Sequence, residues 1–121
     1  MTRVMVVDDH PMWRDAVVRD LAAAGHDVVA TAADGGEAVR RAPAARPEVV
    51  VLDLQLPVMS GVEVTRALVA ADPSVRVLVL SASGEHADVL ESVKAGATGY
   101  LVKSASSSDP VSYTHLTLAT N

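Results

Sequence analysis

The chain has no cysteine and no phenylalanine, and its 121 residues include one tryptophan and two tyrosines. Without cysteine there is no disulfide and no thiolate metal site, which suits a reducing compartment. Half of the residues are apolar, and with Phe missing that half rests on Val, Ala and Leu. The expected core is therefore one of β-branched strands and small helix residues that let helices lie close on a sheet. Positive charge is also short: ten Lys and Arg stand against fifteen Asp and Glu, a net charge of −5. That leaves no basic face for nucleic acid and no polybasic patch for a membrane. No apolar run approaches membrane-spanning length, and the start Met1-Thr-Arg-Val lacks a signal peptide's apolar core. These absences predict a soluble, cytoplasmic chain without membrane contact, of one ordinary domain's length.

What is present alternates. Val4–Val7 reads as a strand, and Pro11 stands where the first residue of a helix tolerates Pro. Val17, Val18, Leu21 and Ala24 then recur at helical spacing until Gly25. A second strand, Val28–Thr31, leads through the turn Asp34-Gly-Gly36 to a short helix, Glu37–Ala42, which Pro43 and Pro47 should end. Glu48–Asp53 is the third strand and Leu54–Ser60 a loop. A third helix carrying Val62, Thr65, Leu68 and Val69 stops near Asp72-Pro73. Val75–Ser81, a helix over about 87–95, and Tyr100–Val102 complete the series. Strands and helices in alternation predict a doubly wound α/β fold, a five-stranded parallel sheet with right-handed crossovers.

The strands end alike. Asp8-Asp9 closes the first, Asp53 the third, Ser81 the fourth and Lys103 the fifth. In open α/β sheets the carboxyl edge is where ligands sit. Three acids gathered there repel one another, and a hard cation such as Mg²⁺ would relieve the repulsion. Each acid alone is as readily a helix N-cap or a solvated turn residue. Likewise Ser81 alone is a turn residue and Lys103 a solvated charge. Their joint placement makes the argument, because carboxylates, a hydroxyl and an ammonium together suit a phosphorylated carboxylate.

Asp8-Asp9, Asp53, Ser81 and Lys103, with Pro57 and Gly61 behind Asp53, resemble the receiver domain of bacterial two-component response regulators, over about Arg3 to Lys103. The resemblance implies a flavodoxin-like receiver fold with Asp53 as phosphoacceptor. It also implies Mg²⁺ held by Asp8, Asp9, Asp53 and the backbone carbonyl of Gln55, with Ser81 and Lys103 on the phosphoryl group. Tyr100 would change rotamer with Ser81, and Gln55 and Ser83 would tune the approach of water. The donor would be a sensor histidine kinase, and the phosphorylated form would dimerise. The implied protein is a switch, not an enzyme, apart from catalysing its own phosphorylation and dephosphorylation. The opening Val7-Asp-Asp-His-Pro-Met-Trp-Arg14 is similar to regulators with a LuxR-type helix-turn-helix output. Such an output would lie outside this chain, and DNA would be reached only through it. His10 has the plain reading of a residue preceding a helix, Trp13 that of an exposed or partner-packed aromatic. His10, His26, His86 and His115 lack the spacing of a His-based metal site.

Two rival classes remain on the residues alone. A haloacid-dehalogenase-like phosphatase also uses a strand-end Asp with Mg²⁺, but needs a second Asp two positions on, where Gln55 stands. A degenerate receiver would serve only as an interaction module, against which the full acidic set speaks.

The C-terminus departs from the pattern. A receiver needs a fifth helix after Lys103, and Ser104–Asp109 reads as its start, but Val111-Ser-Tyr-Thr-His-Leu-Thr-Leu118 alternates as a strand would. That stretch is what GTC TCT TAT ACA CAT CTG ACG CTG encodes, which resembles a transposon-end adapter used in sequencing libraries. We therefore expect a receiver over 1–109 and a non-native tail over 110–121, with the fifth helix truncated or replaced and apolar sheet surface exposed as a result. Amplification of source DNA across the Lys103 codon should yield a different continuation. A genomic sequence encoding Val111–Asn121 and then a stop codon would refute the expectation.

Overall fold

A computed structural model of the chain describes residues 2–54, 56, 58–81 and 93–102, with the backbone alone at 81 and 100–102. The elements are β1 (Arg3–Val7), α1 (Pro11–Ala23), β2 (Asp27–Ala32), α2 (Gly35–Ala45), β3 (Val49–Asp53), α3 (Gly61–Ala71), β4 (Arg76–Ser81) and β5 (Gly99–Val102). The five strands form one parallel sheet in the order β2-β1-β3-β4-β5. The order reverses between β1 and β3, the point at whose carboxyl edge open α/β sheets place their ligands.

Strand alternation divides the core into two layers. Val4, Val6, Val49, Val51, Leu78 and Leu80 pack with Val17 and Leu21 of α1, and the half-buried Trp13 rests against them. Met5, Val7, Val50, Leu52, Val77 and Val79 face the other way, onto Ala38, Val64 and Leu68 of α2 and α3. Every residue of β3 is buried, as a central strand covered on both faces requires. Residues 103–121, the expected tail among them, lie outside the described residues, as do the β5 side chains at 100–102; on β4, Leu78 and Leu80 are buried in the α1-side layer.

α2 is longer than its prolines suggest. The Asp34 carboxylate accepts the Glu37 N–H at 2.8 Å, so Gly35 and Gly36 become the first turn. Pro43 falls in the last turn, where it removes one N–H from the ladder without ending it. Arg46 then takes a left-handed conformation (φ 50°) and its N–H donates to the Ala42 carbonyl at 2.8 Å. The Arg3 guanidinium donates to the carbonyls of Ala45 and Arg46, which secures this helix end to the start of β1.

α3 begins with a reciprocal cap: the Ser60 hydroxyl accepts the Glu63 N–H while Glu63 accepts the Ser60 N–H. At its far end the Ser74 hydroxyl and then the Ser74 amide donate to Asp72, which holds that carboxyl below its ordinary range. Most of the expected fourth helix lies outside the described residues. Residues 93 and 94 are helical, and Gly96 (φ 116°) turns the chain towards β5 with Val69 pressed against it.

Gly61 fixes the exit from the central strand. A Cβ there would meet Leu54 Cα at 2.7 Å and the Asp53 carbonyl at 3.0 Å. Absence of a side chain lets α3 start directly against the end of β3. Gly61→Ala should therefore destabilise the fold by about 1–3 kcal/mol, read as a lower urea midpoint with an unchanged m-value. A midpoint equal to that of the parent would show that the close approach costs nothing to relax.

Candidate functional site

Sheet register brings the acids together. Val7 of β1 lies opposite Leu52 of β3, so the next residues, Asp8 and Asp53, leave adjacent strands side by side. Neighbouring strands are only about 4.8 Å apart. The Asp8 N–H donates to the Ala32 carbonyl at 3.0 Å, which ties the end of β1 to the end of β2. The Asp8 carboxylate accepts the His10 N–H at 2.9 Å in a tight side-chain-to-backbone turn. Arg14, one turn into α1, donates to the Asp8 carbonyl at 2.9 Å. The loop is thus held from both ends.

Asp8 and Asp53 are 0% and 2% exposed, deep burial for carboxylates, while the Asp9 side chain is 33% exposed. Yet the Asp9 Oδ1 atom is itself buried and makes no hydrogen bond. The His10 Nδ1 atom stands 3.1 Å from it, a contact by distance that lacks hydrogen-bond geometry. The same nitrogen donates a hydrogen bond to Asp8 Oδ1 at 3.2 Å and lies 3.9 Å from Asp53 Oδ2. One donor atom from each of Asp8, Asp9, His10 and Asp53 fits within 4.8 Å of the others. Hard carboxylate oxygens converging in this way, one of them buried without a partner, suit a divalent cation.

The loop leaving Asp53 carries strain. Val58, 91% exposed, has φ 72°, a left-handed conformation that β-branched residues rarely adopt. Gly61 N–H donates to the Leu54 carbonyl at 3.2 Å and closes the loop on itself. A separate cavity of about 330 Å³ lies at the opposite edge of the sheet, lined by Val39, Ala42, Arg46, Leu68, Asp72 and Val75. It shares no residue with the acidic cluster.

Residues 4–113 match the family model described as the response regulator receiver domain. The chain belongs to the response regulator receiver family. This receiver is 35% identical to the chemotaxis protein CheY of Thermotoga maritima, over 84% of each chain. It is 42% identical to the DNA-binding transcriptional activator DevR/DosR of Mycobacterium tuberculosis, over 85% of this chain but 48% of that protein. The receiver domain of NarL from Mycobacterium tuberculosis superposes with a TM-score of 0.86 at 38% identity, covering 98% of this chain and 95% of that one. The receiver thus spans most of a chemotaxis relative and about half the length of the transcription regulator. Among the described residues no helix is long and apolar enough to cross a membrane.

Of the residues picked from sequence, Asp8, Asp9 and Asp53 come together. Asp53 pairs with Leu80 across the sheet and Ser81 with Val102, so the backbone of Ser81 lies at the same edge and Lys103 is the next residue along. Tyr100 pairs with Val79 on β5. Gln55, Ser83, Lys103, His86 and His115 lie outside the described residues. His10 does precede a helix, as the N-cap residue of α1, but the lack of ligand spacing along the chain hid that its ring nitrogen lies within 3.9 Å of all three carboxylates. The signal was its place two residues after Asp8, where an Asp side chain commonly folds the backbone back.

With three carboxylates this close, repulsion should cost stability whenever no cation is bound. Asp9→Asn should therefore stabilise the cation-free protein by roughly 0.5–1 kcal/mol at low ionic strength, less in salt. Thermal unfolding in EDTA at two salt concentrations checks this. A lower Tm in the variant would mean that the contact with His10 outweighs the repulsion.

Proposed function

We propose that this receiver takes a phosphoryl group from a sensor histidine kinase onto Asp53. The observation that supports this most is the Asp53 carboxylate itself, at the end of the central strand beside Asp8 and Asp9. A carboxylate oxygen of Asp53 attacks phosphorus in line, the P–N bond of the donor phosphohistidine breaks, and an acyl phosphate forms. Attack requires Asp53 to be ionised. Asp8 and Asp9, with Asp53 and the Gln55 backbone carbonyl, would hold Mg²⁺, which when bound offsets the charge of the entering phosphoryl oxygens.

Ser81 and Lys103, at the ends of β4 and β5, donate to the phosphoryl oxygens. Their demand for that geometry favours the state in which Ser81 and Tyr100 have moved inward, so phosphorylation shifts a population. A mixed anhydride hydrolyses readily, which limits the signal's lifetime, and Gln55 and Ser83 tune that loss. The receiver works in the cytoplasm, dimerises when phosphorylated and controls transcription through a LuxR-type DNA-binding output beyond this chain. Similarity to DevR/DosR supports that last step.

Intact-protein mass spectrometry after acetyl phosphate and Mg²⁺ should reveal one labile phosphoryl group, absent in Asp53→Asn. An undiminished addition in that variant would remove Asp53 from the role, and sustained hydrolysis of phosphomonoesters would point to a phosphatase instead.

A further inference from the structure

We propose that His10 is a nitrogen ligand of the acidic site, so that this receiver binds borderline transition ions such as Ni²⁺ or Co²⁺ through one more donor than it offers to Mg²⁺. The inference rests on the divalent-cation reading of Asp8, Asp9 and Asp53 and deepens it. Its basis is the arrangement of donors. Two ligand atoms each about 2.1 Å from one ion lie about 3.0 Å apart at a right angle and about 4.2 Å apart when opposite. The His10 Nδ1 distances to Asp8 Oδ1, Asp9 Oδ1 and Asp53 Oδ2 are 3.2, 3.1 and 3.9 Å. All three fall in that range.

The backbone makes the arrangement local and inexpensive. The His10 N–H is already committed to Asp8, and Pro11 starts α1 at the next position, so the His10 Cα is held between β1 and the helix. The imidazole is 59% exposed, hence free of a packing role that substitution would disturb. Asp9 Oδ1, buried and without a hydrogen bond, faces the same space. Imidazole nitrogen suits Ni²⁺, Co²⁺ and Zn²⁺, whereas Mg²⁺ prefers oxygen. The extra donor therefore discriminates by ion rather than strengthening every ion alike. The His10 Nδ1–H group donates to Asp8 Oδ1 at 3.2 Å; ligation exchanges that bond for one to the ion, with the proton held on Nε2.

Isothermal titration of the untagged chain at pH 8 tests this, with NiCl₂ and MgCl₂ run separately on the parent and on His10→Gln. Parent protein should bind one Ni²⁺, and His10→Gln should weaken Ni²⁺ about tenfold or more while Mg²⁺ changes less than about twofold. Co²⁺ should show a visible absorption band in the parent that shifts in the variant. A triple variant, His26→Gln, His86→Gln, His115→Gln, should keep the parent's Ni²⁺ affinity, and loss there would overturn the assignment. Unchanged Ni²⁺ affinity in His10→Gln overturns it too, and so does an equal loss for both ions, since His10 would then only position Asp8 and Asp9. Absence of Mg²⁺ binding in the parent is a different failure, that of the acidic site as a cation site at all.

Discussion

Crowding of like charge at one edge of an apolar sheet is the constraint that organises this molecule. Asp8 and Asp53 would repel each other anywhere, but here they are almost fully buried, where screening by water is weakest. They stay together because the strands behind them are locked. Val4 through Val7 and Val49 through Leu52 are buried on both faces, and each Val or Leu so buried contributes about 1.5–3 kcal/mol. The hydrophobic layers hold an electrostatic liability in place. That is how a sheet of valines holds three acids together at one edge.

Loops finish what the strands begin. Asp8 is gripped by Ala32 and Arg14 through its backbone, which leaves its carboxylate to the site and to the His10 N–H. Beyond Asp53 the chain must turn sharply into α3. Gly61 permits the close approach, Ser60 and Glu63 cap the helix, and Val58 absorbs the strain on the exposed side. Strain of this kind persists only when its surroundings over-determine it, and here capping and packing lie on both sides of the loop.

The strands were legible because β-branched runs bounded by turn signals have little else they can be, and a parallel sheet then dictates which ends meet. Asp8, Asp9 and Asp53 could be read for that reason. Helix limits were less legible. Pro43 signals an end, but the bonds from Arg3 to the carbonyls of Ala45 and Arg46 come from 42 and 43 residues away, and no local pattern announces them. Gly35 and Gly36 looked like a turn until the Asp34 cap made them helical.

His10 shows a different limit. Ligand motifs are recognised by spacing along the chain, because helices and strands repeat at fixed periods. His10 is neither on a strand nor inside a helix. Its ring reaches the acids through a two-residue turn closed by one of those acids, a geometry with no period to detect. The same turn explains why the residue sits so close without being buried: the backbone bond at Asp8 draws it in, while Pro11 directs the chain outward into α1. Position at a loop joining two rigid elements thus brings one side chain up to the acids without any cost to the core.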